Sequence, residues 1–92
     1  MADRIIIELC DGWALGYDQR QWIILRRRNT RTQCGWKSVA FIATEKRVLR
    51  RVLREKGISP NLEAAEYIDA MPDTFRAWLR WREASESDRR AA

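Results

Sequence analysis

A chain of 92 residues, 46% hydrophobic and 34% charged, has the size and composition of one globular domain, and it buries roughly 65% of the surface that its unfolded form exposes. With no histidine and only two cysteines, it excludes histidine-based acid–base catalysis, Ser/His and Cys/His nucleophile pairs, most zinc and copper sites, and a disulfide scaffold. No run of about 18 apolar residues is present to cross a membrane, and Ile5-Ile6-Ile7 is too short for a secretory signal.

Arg4–Leu9 is a β-branched run that ends at Cys10-Asp11-Gly12. Asp-Gly between two apolar runs predicts a tight hairpin. Trp13–Tyr17 forms a short second strand, followed by a bend near Asp18-Gln19. Gln21–Arg27 is the strongest strand signal: Trp22, Ile24 and Arg26 point one way, Ile23 and Leu25 the other. Apolar residues on both faces predict a central strand. Residues 28–35 read as a polar loop. Trp36–Ala43 is a fourth strand, with Lys37, Val39 and Phe41 alternating against Trp36, Ser38, Ala40 and Ile42.

The period then changes from two to 3.6. Thr44 is the expected N-cap of a first helix, with Glu45 in its first turn and Gly57 as its C′ residue. Val48, Leu49, Val52 and Leu53 form one apolar arc. Lys46, Arg47, Arg50, Arg51 and Arg54 span about 140° on the other side. Ser59-Pro60 is read as the N-cap and first residue of a second helix reaching about Ala70. Asp73 is expected to cap a third helix that ends near Ala84, with Phe75, Trp78 and Leu79 as its buried stripe. Residues 85–92 are small and charged and are expected to form a disordered tail beyond a single domain over 1–84. The order ββββααα predicts an α+β fold: a four-stranded antiparallel sheet followed by three helices packed on one face. Trp22, Ile24, Phe41, Leu49, Leu53 and Trp78 are the expected core.

Net charge is +5, and its distribution matters more than its size. Residues 1–19 carry −3, residues 20–56 carry +10, residues 57–75 carry −4 and residues 76–92 carry +2. Fifteen of the 18 cations are arginine, whose planar fork of donors suits phosphate and carboxylate. Such asymmetry steers an oriented association, unless segment 57–75 folds back and pairs with the basic middle.

Three constellations could carry chemistry. The catalytic one is weak: Asp69 and Asp73 lie at helix ends, where capping explains them, and neither Cys10 nor Cys34 has a histidine to activate it. The four glycines are isolated, so no phosphate loop is present. No enzymatic activity, cofactor or metal is expected. The second constellation is a basic face. Arg26, Arg27, Arg28, Arg31 and Lys37 cluster around the third and fourth strands, and the helix cations Lys46, Arg47, Arg50, Arg51 and Arg54 form a second group. A face made of both would bind nucleic acid or an acidic patch on a protein. The second helix carries Glu63, Glu66 and Asp69, which repel phosphates and argue against a helix-turn-helix reader. The third constellation is Trp81 with Arg80 and Arg82, which has the makeup of an interface hot spot at the edge of the third helix's stripe.

The stretch Tyr17-Asp18-Gln19-Arg20-Gln21-Trp22-Ile23-Ile24, then Gly35-Trp36-Lys37-Ser38-Val39-Ala40-Phe41, then a helix opened by Thr44, resembles small uncharacterised accessory proteins of temperate phages and prophages. The resemblance covers residues 13–57 and is a pattern of strands and aromatics, not of functional residues. It implies a protein of the bacterial host cytoplasm that docks on host machinery, with inhibition of a defence complex such as a CRISPR effector as its most concrete form. The expected function is therefore non-enzymatic binding to a host protein or ribonucleoprotein with an acidic patch. Direct DNA or RNA binding through the same arginines is the alternative, and a small oligomeric regulatory subunit is the third reading. No membrane association is expected, and the sequence leaves the oligomeric state open.

Overall fold

Alternation of side chains about an extended backbone is enough to build the first half of the molecule. The computed structural model describes residues 4–29 and 34–91, with side chains described for residues 5–28 and 35–84. Four strands, β1 (Arg4–Cys10), β2 (Trp13–Tyr17), β3 (Trp22–Asn29) and β4 (Cys34–Ile42), form one sheet in the order β1-β2-β3-β4. Every neighbouring pair is antiparallel. Three helices follow: α1 (Lys46–Glu55), α2 (Leu62–Ala70) and α3 (Phe75–Ala91). The fold is the expected α+β arrangement. Leu15, Trp22 and Ile24 of the sheet join Leu49 and Leu53 of α1, Ala64 and Ile68 of α2, and Phe75 and Trp78 of α3 in one buried cluster. Ala14, Ile23 and Leu25 form a smaller cluster with Trp36 on the opposite face. Strand β3 thus buries both of its faces, as its sequence predicts.

The turns follow from local chemistry. Gly12 adopts a φ of 84°, the left-handed region that the tight β1–β2 turn requires. Between β2 and β3, the Asp18 carboxylate accepts hydrogen bonds from the backbone N–H of Arg20 (2.7 Å) and of Gln21 (3.0 Å). The Gln21 side chain donates a further bond at 3.2 Å. The hydrogen bond from the backbone N–H of Arg20 is the main cause that holds the Asp18 carboxyl below the usual aspartate range; burial opposes it, and the two bonds from Gln21 add to it.

Several boundaries differ from the sequence reading. The loop read over 28–35 is shorter, because Arg28 pairs with Gly35 and Asn29 with Cys34. A backbone ladder carries polar side chains as readily as apolar ones where they face solvent. Phe41 is not core; it is 57% exposed. Leu25 pairs with Ser38 and Ile24 with Ala40, so Val39 is an extra residue in β4. This bulge reverses the phase of the strand. Phe41 then stands opposite Ile23, and Ile42, only 2% exposed, takes the core position opposite Trp22. The other five expected core residues, Trp22, Ile24, Leu49, Leu53 and Trp78, are all buried.

All three expected helix caps move toward the C-terminus. Thr44 does not cap α1. A single antiparallel bridge instead joins the two helix starts: Glu45 pairs with Thr74, Lys46 N–H donates to the Asp73 carbonyl at 2.6 Å, and Phe75 N–H donates to the Thr44 carbonyl at 3.0 Å. The helix begins one residue late, with Glu45 as an extended N-cap that makes no side-chain cap bond. The same bridge displaces Asp73, and Thr74 Oγ1 accepts from Ala77 N–H at 3.1 Å in its place. For α2 the cap is Asn61, not Ser59. Its Oδ1 accepts from Ala64 N–H at 2.8 Å, while its own N–H donates to the Leu9 carbonyl at 2.6 Å. Gly57 ends α1 as expected, at a φ of 72°. Helix α3 continues to Ala91 instead of ending near Ala84 in a tail. The sequence from 83 to 91 has no glycine or proline to stop it.

Two measurements test this packing. Leu53→Ala should cost about 2–5 kcal/mol in a denaturant titration, whereas Phe41→Ser should cost less than about 1 kcal/mol. Asp18 has a folded pKa below its unfolded one, so its contribution is complete above the unfolded value and disappears as pH falls through the folded value. Urea titrations between about pH 5 and pH 2 should therefore show a steeper acid loss in the native protein than in Asp18→Asn.

Candidate functional site

Helix α1 divides into two faces because its apolar residues recur at 48, 49, 52 and 53. Leu49 and Leu53 are buried, while Arg47, Arg50, Arg51 and Arg54 are exposed. Lys46, Arg47, Arg50, Arg51 and Arg54 line one shallow concavity of about 420 Å³, with Asp73 at its end. The structure thus brings together the whole helix group read from the sequence.

These cations are not equivalent. Lys46 is largely covered, with its side chain 13% exposed. Its Nζ donates to the Met71 carbonyl at 2.9 Å and the Asp69 carbonyl at 3.3 Å, and lies 3.7 Å from the Asp73 carboxylate. It supplies the positive charge that the end of α2 lacks, since α2 has no basic residue in its last turn. Arg50 pairs with Asp69, and Arg47 lies 3.5 Å from Glu45. Among the described residues, the acidic segment 57–75 folds back onto the basic helix at Lys46 and Arg50 alone, while the partner of Arg47 is Glu45, at the start of its own helix. Arg51 and Arg54 have no ion-pair partner among the described residues.

The strand cations are arranged differently. Arg26 and Arg27 are adjacent in sequence, so the strand sends them to opposite faces. The Arg26 guanidinium lies 5.3 Å from the centre of the Trp13 ring, which packs against the main cluster. That of Arg27 lies 5.1 Å from the Trp36 ring, beside the smaller cluster, and 3.4 Å from Glu8. Lys37 stands opposite Arg26 across the β3–β4 pair, and Arg28 opposite Gly35. The Arg26-Arg27-Arg28 run is therefore not one patch. Arg31 lies outside the described residues.

Trp81 is 38% exposed, and its ring meets Tyr67 of α2 edge-on at 5.9 Å. Arg80 is exposed. Arg82 is not part of an exposed pair with Trp81: its guanidinium lies over Tyr17 at 4.8 Å and Trp78 at 5.7 Å, against the core edge. Cys10 is a half-buried free thiol, and the Cys34 side chain lies outside the described residues. Among the described residues no group of three or more Cys, Asp or Glu side chains is arranged to hold a metal, and no helix is long and apolar enough to cross a membrane.

Sequence reasoning missed two features. One is the structural role of Lys46, whose acceptors lie 23 and 25 residues away. The other is a second concavity, about 450 Å³, between α1 and α2, which shares Arg50 and Arg54 with the first. Only the docking of α2 against α1 creates it, so no local pattern announces it.

No family model matches this chain, and comparison with curated proteins and with solved structures found no match.

The different roles of the α1 cations are measurable. Lys46→Met should lose about 1–2 kcal/mol of stability, because it strips charged donors from two carbonyls. Arg51→Ala should stay within about 0.5 kcal/mol of the native protein in the same denaturant titration.

Proposed function

We propose that the protein is a non-enzymatic binding protein that docks through the polar face of α1 on an acidic patch of a partner protein. One observation carries this reading: Arg51 and Arg54 stand without ion-pair partners among the described residues, in a concavity whose other cations are already matched by Glu45, Asp69 and Asp73. Two arginine forks side by side suit paired carboxylates, which they can take bidentately. Their charge is exposed, so it contributes chiefly to encounter rate and orientation.

Nucleic acid is the competing ligand for the same cations. A long polyanion tracking α1 would pass α2, where Glu63, Glu66 and Asp69 are all exposed. A compact acidic patch meets the arginines without crossing that helix. The strand arginines give a polyanion no continuation of the face, since Arg26 and Arg27 are split between the two sides of the sheet and each is engaged by a tryptophan.

Binding to mixed-sequence duplex DNA and to a glutamate-rich peptide, measured across a salt series, separates the two. Direct DNA binding through about five phosphates would give a log–log slope of roughly −4.5. The proposal expects DNA binding to be weak and flat at physiological salt, with the acidic peptide held. The Arg51→Glu/Arg54→Glu protein should lose the peptide at least about tenfold, at an unchanged midpoint of thermal unfolding, because neither side chain supports the fold. Peptide affinity that survives this double charge reversal overturns the proposal.

A further inference from the structure

We infer that the partner presents an acidic helix bearing one bulky aliphatic side chain, and that this side chain seats in the pocket between α1 and α2. This rests on the reading of α1 as a surface for acidic protein segments, and adds the anchor that would give such a contact its specificity.

The pocket is built by two backbone devices. Gly57 turns the chain out of α1 in the left-handed conformation, and Ile58 N–H returns to the Leu53 carbonyl at 2.9 Å. That bond draws Ile58 under the helix, where it is 5% exposed. Pro60 and the Asn61 cap then start α2, whose Ala65 and Ile68 face back. The floor is consequently aliphatic: Leu53, Ile58, Pro60, Ala65 and Ile68. Its dimensions fall within the range of ligand-sized clefts, about 300–1,000 Å³. On the rim stand Arg50 and Arg54, facing Asp69.

Charge and chemistry together select the occupant. Arg54 borders both concavities and has no ion-pair partner among the described residues, so a carboxylate beside the anchor has a cation waiting. An all-carboxylate segment would leave the aliphatic floor unused. A nucleic acid finds no aromatic ring there on which a base could stack. A helix with an apolar anchor and acids one turn away satisfies the floor and the rim at once. Leu62 stands outside the pocket lining, 76% exposed, one turn before Ala65 on α2. A residue adjoining the anchor can cover it.

The test uses the full chain and two synthetic helical peptides, identical in their glutamates and differing only at one central position, leucine or serine. The leucine peptide should bind at least about tenfold more tightly. In methyl NMR of the unmodified protein it should shift Leu53, Ile58 and Ile68, and the serine peptide should not. Ala65→Phe fills the pocket without touching a charge, so it should remove the leucine advantage and leave serine-peptide affinity as it was. If that variant unfolds, the methyl shifts in the unmodified protein decide. Equal affinity for the two peptides, or pocket methyls unmoved by the leucine peptide, overturns the inference. So does a DNA duplex that shifts those methyls when the peptides do not. The two readings fail separately. Loss of both peptides in Arg51→Glu/Arg54→Glu, with no leucine advantage in the native protein, removes the anchor and keeps acid recognition. Undiminished binding of both peptides to that double variant removes acid recognition itself.

Discussion

The aromatic cluster between the sheet and α3 is the contact on which the rest of the molecule depends. Trp22, at the start of the central strand β3, meets Phe75 at 5.5 Å and Trp78 at 6.0 Å, both edge-on, and Trp78 meets Tyr17 of β2 at 5.0 Å. Edge-to-face packing is directional, so it fixes the rotation of α3 as well as its distance. It has a cost. Trp22 Nε1 is buried with no hydrogen-bond acceptor among the described residues, a loss of about 1–3 kcal/mol that the large apolar area of the ring offsets. Trp78 avoids that loss by donating to the Tyr67 hydroxyl at 3.1 Å, which ties α2 to the same cluster. Arg82 lies over Tyr17 and Trp78 and closes the cluster toward solvent.

Once α3 is placed, α1 has little freedom left. The short bridge between residues 44–46 and 73–75 joins the starts of the two helices through backbone hydrogen bonds. Lys46 then reaches across to the end of α2. The basic helix is therefore held at its first turn by two neighbours, while its later turns carry Arg50, Arg51 and Arg54 on the exposed side. The separation of duties is physical: a lysine with buried methylenes and three donors suits the crowded first turn, and exposed guanidinium groups suit an outward contact. Lys46 serves packing, while Arg51 and Arg54 of the same helix are left exposed.

Much of this was legible in the chain. The change from alternation to a 3.6-residue period after Ile42 separates sheet from helices, because the two backbones bury side chains at different intervals. The Asp11-Gly12 turn and the Gly57 stop are legible because each needs a backbone conformation that glycine adopts without strain. The α1 cations were legible as one face for the same geometric reason. Phe41 was not: a single extra residue at Val39 exchanges inside for outside, and neither hydropathy nor propensity marks it. The caps were misplaced because Thr44 and Asp73, sound local candidates, lie in a bridge between segments far apart in sequence.

The sequence by itself determined the element order, the identity of the central strand, the apolar stripe of α1 and the clustering of its cations, since all of these follow from residue periodicity and local conformational preference. Tertiary structure decided which cations are engaged, because ion pairing depends on where Asp69 and Asp73 arrive when α2 and α3 dock. It also decided what Arg26 and Arg27 engage, by setting a different tryptophan beside each on its own side of the sheet. The aliphatic pocket beside Arg54 belongs to the same category: its floor comes from α1, the turn after it and α2, and it exists only where those three surfaces meet.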